Sequence, residues 1–247
     1  MTKIAVISMG QLMSTTLDAS VRAFAEASEH SEVYVKAQAV FDELPFGHSY
    51  IQEYKKGEIG EAEFFDGLRQ RLSRTAEELP DDNIREAWNA MTGITPEHED
   101  KARAVARAIV ENDVHLVIAS ATNPLHQQAN LEALQRVLGE HYEPFMEKVT
   151  FALSYEEHTL DRSTLAARGI QKATEEHWIE ASGTEIASFH SDIQAETVKA
   201  QLVGDVQEGH ASRIMGRRVS VEQIATAGAD FVEQLERFSS HASGLHR

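Results

Sequence analysis

Three short polar clusters follow apolar runs in this chain, and their side chains could do chemistry together. The first is Ser8-Met9-Gly10-Gln11, after Ile4 to Ile7. The second is Ser120-Ala121-Thr122-Asn123-Pro124-Leu125-His126, after Leu116 to Ala119. The third is His190-Ser191-Asp192, after Glu185 to Phe189. A serine hydroxyl is a weak nucleophile unless a neighbouring base takes its proton. His190 is the conceivable base for Ser8. Ser120, Thr122 and Asn123 stand where a helix opens at Pro124, and the free N–H groups of a helix start favour an anion. The competing reading is that Ser120 and Thr122 only cap that helix.

These clusters need a scaffold that brings strand ends together. Ile4 to Ile7 and His115 to Ala119 are short apolar runs rich in β-branched residues, which predicts buried strands. Lys148 to Leu153 and Glu185 to Phe189 are weaker strand candidates. Leu17 to Ser28 carries helical periodicity, and the stretch from Ser49 to Met91 reads as all helix. Its aromatics, Phe64, Phe65 and Trp88, read as a packed helical core, with a binding stripe as the alternative. Thr95-Pro96-Glu97 and Asn123-Pro124 are helix starts, each with a capping side chain before a proline. Ile193 to Leu202 and Val221 to Phe238 also read as helices. From residue 93 onward helices and strands alternate, which predicts a parallel sheet with helices on both faces. Ligands of such sheets bind beyond the carboxyl ends of the strands.

Composition sets the outer bounds. The chain has 247 residues, of which 42% are apolar, enough for a sizeable core. No apolar run reaches a membrane span, and the first residues look like a strand rather than a signal peptide. The expectation is a cytoplasmic protein without membrane insertion. The formal charge is −17, which disfavours nucleic acid and anionic lipid as partners. It fits either simple solubility or attraction to a basic protein partner. The absence of cysteine removes disulfides and thiolate chemistry. The 12 histidines form no H-E-x-x-H motif and read as scattered surface residues.

The sequence also resembles the haloacid dehalogenase (HAD)-like hydrolases, in particular a phosphatase-like branch with a small helical cap. The resemblance is carried by Tyr54-Lys55-Lys56-Gly57-Glu58-Ile59 with Glu63-Phe64-Phe65, and by Ile84-Arg85-Glu86-Ala87-Trp88-Asn89-Ala90-Met91. Ser120 to His126 resembles the second motif, whose hydroxyl binds phosphate. Ser154-Tyr155-Glu156 resembles the stretch before the third motif, and Gly204 with the tail after it resembles the closing strand and helix. The resemblance implies a Rossmann-like α/β core of residues 1–14 and 93–247, with a helical cap of residues 15–92.

The departures from that pattern bear directly on function. The resemblance implies an aspartate nucleophile after strand one, where this chain has Ser8. The second acid would fall on Gly10, and some members of the branch also carry glycine. The third-motif lysine falls on Asp161-Arg162, and the fourth-motif acidic pair on Ser191-Asp192. In that chemistry a carboxylate attacks phosphorus and shares Mg²⁺ with the phosphate. Serine offers Mg²⁺ no anionic oxygen. Losing a nucleophile costs on the order of a million-fold in turnover, judged from serine proteases. The expectation is a catalytically inactive protein of this fold, acting as a protein-binding adaptor or as a subunit of a larger assembly, with no cofactor. Its remnant pocket would comprise Ser8, Gly10, Ser120, His190 and Asp192. The alternative is a phosphatase, which would need Mg²⁺, or a sensor of phosphorylated metabolites. The partner's identity and the oligomeric state are not written in the sequence.

Overall fold

The computed structural model describes residues 3–28, 32–42, 50–176, 184–204, 220–224 and 230–240. Strand β1 (Lys3–Ile7) leads into a 3-10 turn, Met9–Gln11, and a two-residue strand, β2 (Ser14–Thr15). Five helices follow among the described residues: α1 (Leu17–Ala27), α2 (Glu32–Asp42), α3 (Tyr50–Lys55), α4 (Glu61–Leu72) and α5 (Asp81–Asn89). β3 (Thr92–Gly93) then pairs antiparallel with β2, Ser14 opposite Gly93. This ribbon brings the two connections of the helical insert side by side.

The remaining chain alternates. It runs through α6 (Pro96–Glu111), β4 (Val114–Ser120), α7 (Pro124–Leu138) and α8 (Tyr142–Met146). β5 (Val149–Leu153), α9 (Ser154–Glu157), α10 (Arg162–Glu176), β6 (Glu185–Ser188) and α11 (Ala195–Gly204) come next. β7 (Ser220–Gln223) and α12 (Asp230–Ser240) close the described chain. The main sheet has the order β5-β4-β1-β6-β7, and every pairing is parallel. Among the described residues no helix is long and apolar enough to cross a membrane.

The central strands are covered on both faces, so they are continuous apolar runs rather than alternating ones. Every residue of β1 and β4 is buried. On one face Ile7, Leu116 and Ile118 pack with Val105 and Ile109 of α6, Leu134 of α7 and Leu235 of α12. On the other, Val6, Val117 and Ala119 pack with Leu165 and Ile170 of α10 and Leu202 of α11. Gly169 lets α10 lie close to the sheet: a Cβ there would stand 2.5 Å from Val117 Cγ1. The helical insert has its own core, in which Phe24, Phe41, Phe64 and Trp88 are fully buried. Phe64, Phe65 and Trp88 therefore all pack in this core.

Three details differ from the sequence expectations. Val221 begins no helix: residues 220–223 form the edge strand β7, and 230–240 are helical. A four-residue edge strand has too little pattern to separate from the helix after it. Helix α2 was not expected; its alanines and glutamine weaken the contrast between its faces. His115 and His126 are buried rather than surface residues. The segment 205–219 after Gly204, part of the loose resemblance, lies outside the described residues.

Candidate functional site

Ser8 ends β1 and Ser120 ends β4, and the two strands are hydrogen-bonded neighbours with Ile7 opposite Ile118. A pocket of about 230 Å³ opens at these strand ends, beneath the helical insert. Ser8, Gly10, Ser120 and Thr122 line it, together with Asn130 and His126 of α7. Trp88, Ile51 and Lys55 line it from the insert, and Arg162 from α10. No aspartate or glutamate is among the described residues of its wall.

The turn after β1 is held by Gln11. Its side-chain oxygen accepts from the Ser8 backbone N–H at 2.9 Å, and its Nε2 donates to the Phe189 carbonyl at 2.8 Å. The ends of β1 and β6 are thereby tied together, and Ser8 is turned into the pocket.

Asn123, expected as an anion donor, is committed elsewhere. It caps α7, accepting from the His126 backbone N–H at 3.0 Å, and lies 3.0 Å from His126 Nδ1. It is fully buried and does not line the pocket. Because Asn123 supplies the cap, the hydroxyls of Ser120 and Thr122 do not. Capping was the competing reading for those two residues, and it falls away.

His126 binds the insert to the core. Its ring stacks on Trp88, with centroids 4.8 Å apart and planes 12° apart. Its Nε2 is 3.1 Å from the Trp88 carbonyl oxygen, so this nitrogen carries the proton and Nδ1 accepts from Asn123. Burial, helped by the charge of Lys55, pushes its pKa down to about 3. The neutral ring is the form that satisfies both contacts.

His190 and Asp192 do not line the pocket. Arg162 stands between them and it. The guanidinium pairs with the Asp192 carboxylate and lies 3.5 Å from His190 Nε2. His190 Nδ1 accepts from the Asp192 backbone N–H at 3.1 Å. His190 is therefore not placed as a base for Ser8. The third-motif lysine is absent from Asp161-Arg162, and Arg162, which opens α10, lines the pocket.

Lys55 is a pocket residue that sequence reasoning missed, as is Asn130. Lys55 ends α3 of the insert, and the turn after it docks on the core. The Lys55 carbonyl lies 2.7 Å from Ser154 Oγ, and the Lys56 carbonyl 2.9 Å from His158 Nδ1. Gly57 adopts φ +68° against the Tyr155 carbonyl, where a Cβ would come within 2.4 Å. Desolvation, then the nearby Arg162 charge, lowers the Lys55 pKa. Its ammonium pairs with no carboxylate among the described residues. The signal for it was the resemblance over Tyr54 to Ile59, which marks a cap but gives its lysines no role.

The site does not fit Mg²⁺. That ion prefers carboxylate oxygen, and the wall offers hydroxyls, amides and cations instead. Among the described residues no three histidine, aspartate or glutamate side chains come together as a metal site would need.

Comparison with known proteins supports the fold. No protein-family model matches the chain, and no curated protein matches it in sequence. Solved structures do match. The HAD family enzyme BT-2542 of Bacteroides thetaiotaomicron, in complex with magnesium and inorganic phosphate, superposes with a TM-score of 0.57 at 17% identity. That match covers 91% of this chain and 94% of the other. The same enzyme's magnesium complex gives 0.54 at 16% identity, covering 92% and 94%. The chain has the HAD-like α/β fold.

Proposed function

We propose that this chain is a non-hydrolytic protein of the HAD-like fold, working by binding rather than turnover. One observation carries the reading: the described wall of the strand-end pocket contains no carboxylate, and Ser8 stands where the resemblance calls for the nucleophile. Phosphoryl transfer by this chemistry needs a carboxylate to attack phosphorus and more than one to hold Mg²⁺. His190, the conceivable base for Ser8, does not line the pocket.

In its first form the reading makes the chain a protein-binding adaptor or a subunit of an assembly, with a basic partner suited to its charge of −17. Three acids of the insert are engaged in ion pairs within it. Glu58 pairs with Lys56, Glu61 with Arg85, and Asp66 with Arg69. Glu63 and Glu86 are exposed without an ion pair among the described residues, and they are the better probes. Affinity capture with Glu63→Lys/Glu86→Lys should lose the partner. Ser8→Ala/Ser120→Ala should keep it. The reverse outcome would refute the adaptor role and favour the second form, a sensor. A specific observation supports that form: Asn130 lines the pocket, and its Oδ1 is buried without a hydrogen-bond partner among the described residues.

A further inference from the structure

We infer that a cleft between α6 and the α7–α8 connection is a docking site for an acidic amphipathic helix of a partner protein. The cleft lies toward the amino ends of β4 and β5, which α6 and α8 precede, and so away from the strand-end pocket. The inference uses a different face of the molecule from the proposed function and does not depend on the non-hydrolytic reading.

Helix α6 buries Ala102, Val105 and Ile109 in the sheet core. A second stripe, Arg103, Ala106, Arg107, Val110 and Glu111, follows the i, i+3, i+4, i+7 spacing of one helix face. This stripe forms one wall of a cleft of about 210 Å³, and Leu138, His141 and Pro144 form the other. Ala106 and Leu138 are its buried floor. The small methyl group of Ala106, set between longer side chains, leaves the space open. Val110 belongs neither to the sheet core nor to the partly buried residues packed against it, and it stays 37% exposed. A lone exposed valine is ordinary on a surface. Here it edges a concave apolar floor beside arginines, which is the layout of a docking site.

Charge selects the partner. Arg107 makes no ion pair or hydrogen bond among the described residues. Arg103 meets Glu99 at 3.0 Å and Asp100 at 3.4 Å, in exposed pairs that hold it weakly. An open guanidinium takes a carboxylate through two parallel hydrogen bonds. The same two arginines repel a basic segment. A second copy of this chain is disfavoured by the repulsion between two bodies of charge −17.

Size and shape narrow the partner further. Sites that enclose a free small molecule hold roughly 300–1,000 Å³. This cleft is smaller, and its rim residues Arg103, Arg107, His141 and Pro144 are exposed. It suits one or two apolar side chains carried by a larger body. From Arg103 to Val110 the stripe runs about 10 Å along α6, two helical turns. A partner helix laid beside α6 presents an apolar residue and, one turn away, a carboxylate within that length.

The test is titration calorimetry with an alanine-based helical peptide bearing leucines and glutamates on one face, with amide shifts mapped on labelled protein. The control peptide carries lysines in place of the glutamates. The acidic peptide should bind, with shifts centred on Arg107, Val110 and His141, and the control should not. Arg107→Glu should weaken binding about tenfold or more, as loss of an anchoring contact does, and Arg107→Lys should weaken it less. Val110→Ser should also weaken it, and Glu111→Gln should tighten it. These positions are exposed, so the variants should keep the wild-type circular dichroism. Absence of binding by the acidic peptide to the wild-type protein would overturn the inference. So would equal binding of the control, shifts centred on Ser8 and Ser120, or affinity unchanged in both Arg107→Glu and Val110→Ser. A dimer seen in sedimentation and abolished by Arg107→Glu would give the cleft to a second copy. Hexanoate binding as tightly as the peptide would give it to a small molecule. Either result would overturn the assignment to a partner helix.

Discussion

The hydroxyl of Ser154 sits 2.7 Å from the carbonyl oxygen of Lys55, although 99 residues of chain separate the two. The contact joins the end of β5 in the sheet to the end of α3 in the helical insert. A single hydroxyl hydrogen serves either the Lys55 or the Thr122 carbonyl, while the oxygen accepts from the Thr122 N–H. The insert is thereby tied to the loop that follows Ser120.

Ser154→Ala should therefore destabilise the fold by about 1–3 kcal/mol, because it strands the buried Thr122 N–H. Urea unfolding measures this. A change within error would mean that the loop finds another partner at no cost.

Gly57→Ala should be comparably harmful. The position needs φ +68°, and a Cβ would meet the Tyr155 carbonyl at 2.4 Å. An L-residue forced into that region costs on the order of 1–3 kcal/mol before any clash is counted. The loss should appear in the urea midpoint, and limited proteolysis should find the α3–α4 turn more open than in wild type.

His126 should make stability pH-dependent. Its folded pKa is pushed down to about 3 by burial, against an ordinary 6.5. Protonation then favours the unfolded chain. The contribution is fully present above about pH 6.5 and is lost as pH falls toward 3. The slope in that window approaches ~1.4 kcal/mol per pH unit at most. Carboxylates add their own loss below about pH 5, so the informative quantity is the difference between wild type and His126→Gln from pH 7 to 5. The variant should show the shallower slope. Equal slopes would mean that the ring is not buried in neutral form.

Ser8→Asp should not create a magnesium site. One carboxylate among hydroxyls, beside two cations, lacks the oxygen ligands the ion needs. Calorimetric titration with Mg²⁺ should give no binding to either form. Tight binding by Ser8→Asp would place further acids at the site, beyond the described wall.

Much of this was legible from the residues. β1 and β4 stood out because strands buried on both faces are unbroken apolar runs, and the strand-end rule then placed Ser8 and Ser120 together. The capping roles of Thr95 and Asn123 could be read from the proline after each. Lys55 could not be found this way. It reaches the pocket only because the α3–α4 turn docks on residues a hundred positions later, and no local pattern encodes that contact. Arg162 was located by counting but discounted as a mismatch of residue type, yet it lines the pocket. His190 illustrates the opposite error. Nearness to a strand end suggested a base, but Arg162 and Asp192 engage it on the far side of the wall.

The most direct test of the account is phosphate release from a generic phosphate ester with Mg²⁺, comparing wild type and Ser8→Ala from identical preparations. The account predicts that the two are equal and at background. Robust Mg²⁺-dependent turnover by the wild type that disappears in Ser8→Ala would contradict it.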